Sequence, residues 1–402
     1  MKQLLAYCLS IILCVSFTGC MENYLDLYPE DKITSASFPE NESDIKLLLN
    51  GVYAQLREKE VYNQGLFGFG ITDGATPNAF NWGTDEVFNK LGAGRLSSSD
   101  GGVVTYRWKR CYEIISRANY LLACMDLVDL SEEAKAKYSG ETHFLRGLAY
   151  SVLAETYGGV PIILTNISTE EARSLKRASL EETWQQALDD YEVAITNLGV
   201  DAPEPGRATK GAALGMKMRA YLYQGKYKEV LACVEQIDAL KKYGLFHSYE
   251  GLFDPANENN KEVLFDIQYI EGENSQGSYI DQYCGTGTGS WTRGSRYVPT
   301  DDLVAAYETI DGSPVDPENP YENRDPRLGF TAVLPGSYFL GYRFPNYLYP
   351  GGAFNHAGNR LKHLSTRKYR IQDESKLPPS GQSYINDIIP VSYTHLTLPT
   401  IA

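Results

Sequence analysis

The chain predicts an all-α dominated fold, a tetratricopeptide-like helical solenoid carrying an irregular, loop-rich region with short strands. Three observations predict it. Apolar residues recur at steps of three and four across most of residues 45–240, the period of a helix face. Within that span, residues 207–240 form a helix–turn–helix segment of about 34 residues, small on one helix and aromatic near the turn, which is the size and texture of a tetratricopeptide repeat. From about residue 244 the composition turns to Gly, Pro, Asn and Tyr with little helical period, broken by EVLFDIQYI at 262–270, which alternates as a strand does.

The N-terminal segment is a leader. Lys2 is the only charge before Glu22, and Leu4 to Phe17 is almost wholly apolar, too short for the roughly 20 residues of a bilayer span. A positive start, an apolar middle and small residues at the end describe a secretory signal. Thr18 and Gly19 directly before Cys20 sharpen it to a bacterial lipoprotein signal, residues 1–19. Cys20 then becomes the lipidated N-terminus, carrying palmitate-type chains. Two or three acyl chains suffice for stable anchoring where one does not. Residues 20–44, punctuated by Pro29 and Pro39, are predicted to be an extended tether.

The helical region is predicted over 45–243. Ile45, Leu48, Val52 and Leu56 line its first helix. Trp108, Cys111, Ile115, Ala118, Leu122 and Met125 line a second at about 104–126. Ser131 caps a third, with Glu132 and Glu133 in its first turn; Gly158, Gly159 and Pro161 end it. Ser179 and Glu182 have the spacing of a capping box and open a fourth, striped by Leu180, Trp184, Leu188, Tyr191, Ile195 and Leu198. Thr209 caps the first helix of the repeat and Gly225 breaks it. Gly211, Ala212, Gly215 and Ala220 are small enough for close helix approach. Residues 244–391 form the irregular region. Two long irregular segments, 63–103 and 271–300, exceed the length of ordinary loops, which marks them as functional or disordered; their aromatics argue against disorder.

Charge and cysteines exclude several classes. The formal net charge is −14, with 37 Lys and Arg against 51 Asp and Glu, a sign that repels phosphate backbones and disfavours nucleic acid. Of the 7 cysteines, Cys8 and Cys14 leave with the leader. Cys111 and Cys124 share one helix, about 20 Å apart, too far for a disulfide, so buried free thiols are expected. The histidines at 143, 247, 356, 363 and 395 form no zinc motif. GFGITDG (68–74) and GTGTGS (285–290) lack the strand–turn–helix setting and the lysine of nucleotide loops. The pairs Asp189–Asp190 and Asp301–Asp302 are expected to be solvated surface charge. DGSPVDPEN (311–319) offers oxygens for calcium but fails the spacing of a calcium-binding loop, so no cofactor and no metal are expected.

The aromatic loops carry the candidate chemistry. Tyr numbers 30, with 14 Phe and 4 Trp, more than a core requires, and flat rings suit the apolar faces of sugar rings. ITDGATPNAFNWG (71–83) offers Phe80 and Trp82 beside Asp73, Asn78 and Asn81. SYIDQYCGTGTGSWTR (278–293) offers Tyr279, Tyr283 and Trp291 beside Asp281 and Arg293. YFLGYRFPNYLYPGGAF (338–354) is denser still in rings. These rings either bind ligand or anchor the loops on the solenoid.

Taken in order, CMENYLDLYPED, LLLNGVYAQL, WKRCYEIISRANYLL (108–122), GETHFLRGLAYSVLAETYGGVPI (140–162), the 207–227 segment, EVLFDIQY (262–269) and NRDPRL (323–328) resemble the successive motifs of SusD/RagB lipoproteins. The resemblance runs from about Cys20 to Val391. It implies an outer-membrane lipoprotein facing outward that captures oligosaccharide, without catalysis, and passes it to a SusC-like TonB-dependent barrel. Peptide capture by the same fold, a surface glycoside hydrolase, and a solenoid that helps gate the barrel without touching cargo are the alternatives. YGGVPI and NRDPRL are expected to be structural turn and strand elements. After NDIIPV the family continues into further helices, whereas here SYTHLTLPTIA follows; residues 392–402 are therefore expected to be a non-native tail.

Overall fold

A computed structural model describes residues 38–57, 74–81, 90–270, 297–339, 342–343, 364–367 and 387–390. The leader, Cys20 and the 392–402 tail lie outside the described residues. The helices are α1 (Glu42–Ala54), α2 (Val103–Cys124), α3 (Glu132–Tyr157), α4 (Thr169–Ser174), α5 (Leu180–Asn197), α6 (Lys210–Tyr223), α7 (Tyr227–Ala239), α8 (Asp301–Ala306) and α9 (Arg327–Thr331). The strands are β1 (Ala79–Asn81), β2 (Val263–Ile267), β3 (Tyr297–Pro299), β4 (Ala332–Val333), β5 (Tyr338–Phe339), β6 (Tyr342–Arg343), β7 (Ser365–Thr366) and β8 (Asp387–Pro390). They pair antiparallel as β1–β3, β2–β8, β4–β7 and β5–β6.

Helix starts follow the sequence. Asn41, Ser131, Ser179 and Thr209 each accept a backbone N–H from the first turn of their helix. Glu182 returns a bond to the Ser179 N–H at 2.7 Å, completing the capping box. Gly158 (φ 77°) ends α3 in a conformation that a side chain resists. Consecutive long helices pack on one another: α2 on α3, α3 on α5, α5 on α6 and α6 on α7. This nearest-neighbour order is that of a helical repeat array.

The core centres on α3, buried on nearly all sides from Gly140 to Ala154. The predicted stripes of α1, α2 and α5 face it, with two exceptions. Trp108 lies at the surface, where its ring meets Tyr112 and Tyr157 at 5.0 and 5.2 Å. Leu180 sits exposed at the first turn of α5. The small residues of α6 also act differently from expectation. A Cβ on Gly211 would lie 2.2 Å from the Tyr243 ring, and one on Gly215 would lie 2.7 Å from Leu264 of β2. They receive side chains from the segment after α7 and from β2. The close helix crossing belongs instead to α3 and α5, where a Cβ on Gly147 would lie 3.0 Å from Asp190 Cβ.

Asp190 corrects the expectation of solvated charge. It is 1% exposed, and Arg146 of α3, 6% exposed, donates to it through Nε and Nη2. Arg146 Nη1 donates to Asn119 Oδ1 of α2 at 2.8 Å, and Asn119 Nδ2 donates to the Ile163 carbonyl at 2.9 Å. One buried network therefore joins α2, α3, α5 and Ile163, the residue after the YGGVPI segment. That segment is no strand. It runs without ladder partners, held by Tyr112 Oη on the Pro161 carbonyl and Thr183 Oγ1 accepting from the Val160 N–H, with Tyr150 Oη on the Ile163 carbonyl just beyond it.

β2 is buried on both faces rather than alternating. Leu264 packs on α6, while Phe265 meets Phe144 of α3 edge-on at 4.9 Å. This strand ties the irregular region to the solenoid. A second buried polar cluster lies between α1, α3 and α6. Tyr53 Oη donates to Glu141 Oε2 at 2.8 Å and accepts from the Ala208 N–H, while Arg207 stacks over the Tyr53 ring. Burial pushes the Glu141 carboxyl above its ordinary range, and burial and the Glu141 charge raise Tyr53. Cys111, Cys124 and Cys233 are buried free thiols, and burial pushes Cys111 up to about 12.

Arg146→Met leaves Asp190 buried without its counter-charge and should lower unfolding stability by about 3–5 kcal/mol. Arg146→Met with Asp190→Leu removes both charges and should recover most of that loss. Urea midpoints measure both; a single variant with the wild-type midpoint would show that the pair contributes nothing.

Candidate functional site

The two long irregular segments meet in space. β1 and β3 pair with Ala79 opposite Pro299, Phe80 opposite Val298 and Asn81 opposite Tyr297. Thr300 closes this clasp. Its N–H donates to the Asn78 carbonyl at 3.1 Å, its hydroxyl donates to the Pro77 carbonyl, and the same oxygen accepts from the Leu303 N–H to cap α8. One hydroxyl thus links a helix start to a loop 223 residues earlier in the chain.

The clasp has a covered strand and an open one. Val298 is buried, and β3 lies against β7, which pairs with β4. Phe80 is 51% exposed and Asn78 is exposed. Phe80 and Val298 are directly paired and so share one face of the ribbon; β3 is covered from the β7 side, whereas the Phe80 ring stays open to solvent. Upstream of α2, Lys90 Nζ and the Ser97 N–H both donate to Asp100 at 2.7 Å, and these bonds hold its carboxyl down at about 2. That fold-back shapes the end of the first loop.

Of the predicted site residues, Asn78 precedes β1 and Asn81 ends it. Asp73, Trp82, Tyr279, Tyr283, Trp291 and Arg293 lie outside the described residues, as do the two glycine-rich motifs for most of their length. In the sequence, Trp82 directly follows β1 and Trp291 stands six residues before β3. Sequence reading missed Thr300, whose only local signal was a threonine before two aspartates, the pattern of a helix N-cap. It also missed what NRDPRL does. Arg324 is buried and donates to the carbonyls of Pro320, Val304 and Tyr307 at 2.7, 2.5 and 2.6 Å. It thereby fastens the C-terminal end of α8, the helix that starts at the clasp.

The acidic loop at 311–319 bonds to itself. Asp311 accepts from Ser313, and Asp316 accepts from Glu318 and Asn319. The Ser313 hydroxyl and N–H hold Asp311 at about 2. Among the described residues no three His, Cys, Asp or Glu side chains cluster as metal ligands would, and no described helix is long and apolar enough to cross a membrane.

Long helices packed each on the next, with two irregular segments joined at their described ends by a short clasp, define a helical-repeat protein. The chain belongs to the SusD family. A family model described as "Starch-binding associating with outer membrane" matches residues 23–222, and the SusD family model matches residues 261–386. SusD-like protein P25 of Formosa agariphila is 26% identical over 321 residues, covering 74% of this chain and 58% of the relative. A SusD-like protein of Bacteroides ovatus is 24% identical over 276 residues, covering 63% of this chain and 48% of the relative. The chain thus spans about half the length of the curated relatives it matches. A SusD-like carbohydrate-binding protein from Bacteroides fragilis superposes with a TM-score of 0.78 at 26% identity, over 90% of this chain and 74% of that one. A laminarin-binding SusD-like protein superposes with a TM-score of 0.64 at 18% identity, over 90% of this chain and 80% of that one. The helical, tetratricopeptide-like fold predicted from the sequence is the fold of these relatives.

Thr300→Val keeps the side-chain shape but removes the hydroxyl. It should cost about 1 kcal/mol for the lost cap and raise hydrogen exchange at the Thr300 and Leu303 amides. Unchanged exchange at both amides would show that the clasp stands without that hydroxyl.

Proposed function

We propose that this protein captures oligosaccharide at the outer surface of the cell and delivers it to a SusC-like TonB-dependent barrel, without catalysing a reaction. The observation that carries this reading is the β1–β3 clasp. It brings together the backbones of the two segments richest in candidate sugar-binding residues, on a scaffold of the SusD family. Membership supports the ligand class, since the family model is described as starch-binding and a relative of the same fold is described as carbohydrate-binding. The lipidation motif at Cys20 supports a lipid-anchored location at the outer membrane.

In this reading Trp82 and Trp291 stack on pyranose faces, joined by Tyr279 and Tyr283. Asp73, Asn78, Asn81 and Arg293 take the hydroxyls, whose loss of water must be compensated by hydrogen bonds. No bond in the ligand is made or broken. Capture by stacking and hydrogen bonding is reversible, as transfer to a transporter requires.

Calorimetry with laminari- and malto-oligosaccharides tests the ligand class; a structural neighbour's laminarin makes the first panel a rational start. Trp82→Ala or Trp291→Ala should weaken binding about tenfold or more, the loss of one apolar contact face, while the helical circular dichroism stays at wild type. Equal affinity in both variants and the parent would remove the site assignment. Tight binding of peptides with no response to any glycan would replace it with peptide capture.

The anchor has its own test. Cells fed an alkyne analogue of palmitate should label the wild type and not Cys20→Ser. An unlabelled wild type would remove the lipid anchor and leave the ligand question standing.

A further inference from the structure

NRDPRL does more than form a turn. Behind it, Arg324 holds the carbonyls at the end of α8. The Asp325 N–H donates to the Glu308 carbonyl at 2.9 Å and the Ile310 N–H donates to the Asn323 carbonyl at 2.9 Å. This framework fixes Tyr307, the residue that follows α8. The Tyr307 hydroxyl lies 2.8 Å from Thr331 Oγ1 at the end of α9, and the Tyr249 hydroxyl bonds to the same threonine. The two phenols are therefore pinned at their polar ends.

Between them opens a cavity of about 300 Å³, at the small end of the ~300–1,000 Å³ range of ligand pockets. Tyr249 and Tyr307 line it with Leu303 and Ala306 of α8. Its polar groups are Glu308, Asp325 and Arg327. Asp325 engages Nε and Nη2 of Arg327, so the guanidinium keeps further N–H donors outside that fork. Two carboxylates against one guanidinium leave the lining net negative. A uronate or sulfated residue would meet like charge there and lose its hydration.

We infer that this cavity is a second sugar subsite, taking one neutral pyranose residue of an oligosaccharide whose other end lies at the clasp. The inference rests on the glycan-capture reading and extends it. Pinned rings, an apolar wall and a rim carrying both donors and acceptors are what a neutral sugar needs: faces for its C–H groups and partners for its hydroxyls. Preorganisation matters because ordering side chains on binding costs affinity. The position fits as well. α8 has six residues from Asp301 to Ala306, about 9 Å at 1.5 Å each, so the subsite lies close to Thr300 and the clasp. A short oligosaccharide would reach one site and a longer one both, which makes affinity length-dependent.

Ala306→Trp tests this. Ala306 is exposed on α8 and lines the cavity, so an indole there obstructs the space without entering the core. The full chain, Ala306→Trp, Tyr307→Ala and Trp82→Ala are titrated by calorimetry with neutral laminari- and malto-oligosaccharides of two to seven units and with oligouronates of matched length. Ala306→Trp and Tyr307→Ala should lose about tenfold in affinity for the longest neutral chains and nothing for the di- and trisaccharides. Trp82→Ala should lose affinity at every length. Should Tyr307→Ala fail to fold, Ala306→Trp decides alone. Wild-type affinity of Ala306→Trp for long chains, with Trp82→Ala still impaired, overturns the subsite and leaves glycan capture intact. Oligouronates bound by the wild type as tightly as neutral chains overturn the neutral-sugar assignment. No response of the wild type to any oligosaccharide overturns glycan capture and the subsite with it.

Discussion

The solenoid depends on a charge pair placed where charge is most costly. Arg146 and Asp190 sit at the tightest helix crossing in the core, one residue from Gly147, whose missing side chain lets α3 and α5 approach. An ion pair in such a place contributes less net stability than its geometry suggests, because both groups lose their water. Its value lies in specificity. The fork of Arg146 accepts one arrangement of α5 across from α3, and its remaining nitrogen reaches Asn119 on α2. A slip of either helix would strand a buried charge. Apolar stripes alone would tolerate neighbouring registers; this network does not.

The same economy recurs outside the core. In a chain with 37 basic residues against 51 acidic ones, several arginines are spent on backbone carbonyls where elements end. Arg177 donates to the carbonyls of Tyr157, the last residue of α3, and of Gly159 just beyond it. Arg117 takes the Gly51 carbonyl late in α1, and Arg367 takes the Gly329 carbonyl in α9 while pairing with Glu250. Arg324 does the same for α8. Carbonyls at helix C-termini lack partners within the helix and carry partial negative charge. A long planar donor fork satisfies two or three at once and joins segments far apart in sequence. Among the described residues of the irregular region, side-chain-to-backbone bonds of this kind join segments that its short strands leave apart.

What was legible in the sequence follows from the range of the interactions. The caps at Ser131, Ser179 and Thr209 are local, decided within four residues, and each helix begins where its cap stands. Periodicity located the helices because one face must be buried whatever the partner. Asp190 was misread because an acidic pair in an acidic chain looks solvated until its partner is known, and Arg146 stands 44 residues away. A local sign existed: Arg146 interrupts the apolar run FLRGLAY beside a glycine. The glycines of α6 were rightly judged to admit close approach, but what approaches is Tyr243 and a strand. The β1–β3 pairing was not legible at all. Its strands are three residues long, too short for a periodic signal, and most of the residues proposed to bind sugar lie outside the described stretches.

Strands that short also bear on how the face works. Three paired residues are marginal as a sheet, so the clasp draws its order from its surroundings: Val298 packed inward, Thr300 shared between a loop carbonyl and a helix start, and α8 held at its far end by Arg324. The described helices are held by many local interactions, and the clasp by a few distant ones. Such a division suits capture and release. A ligand bound across the clasp would add contacts to both strands of a three-residue pairing, and by linkage it would stabilise that pairing. The solenoid, already ordered by its own packing, would change little and would present β1 and β3 in one orientation with or without ligand.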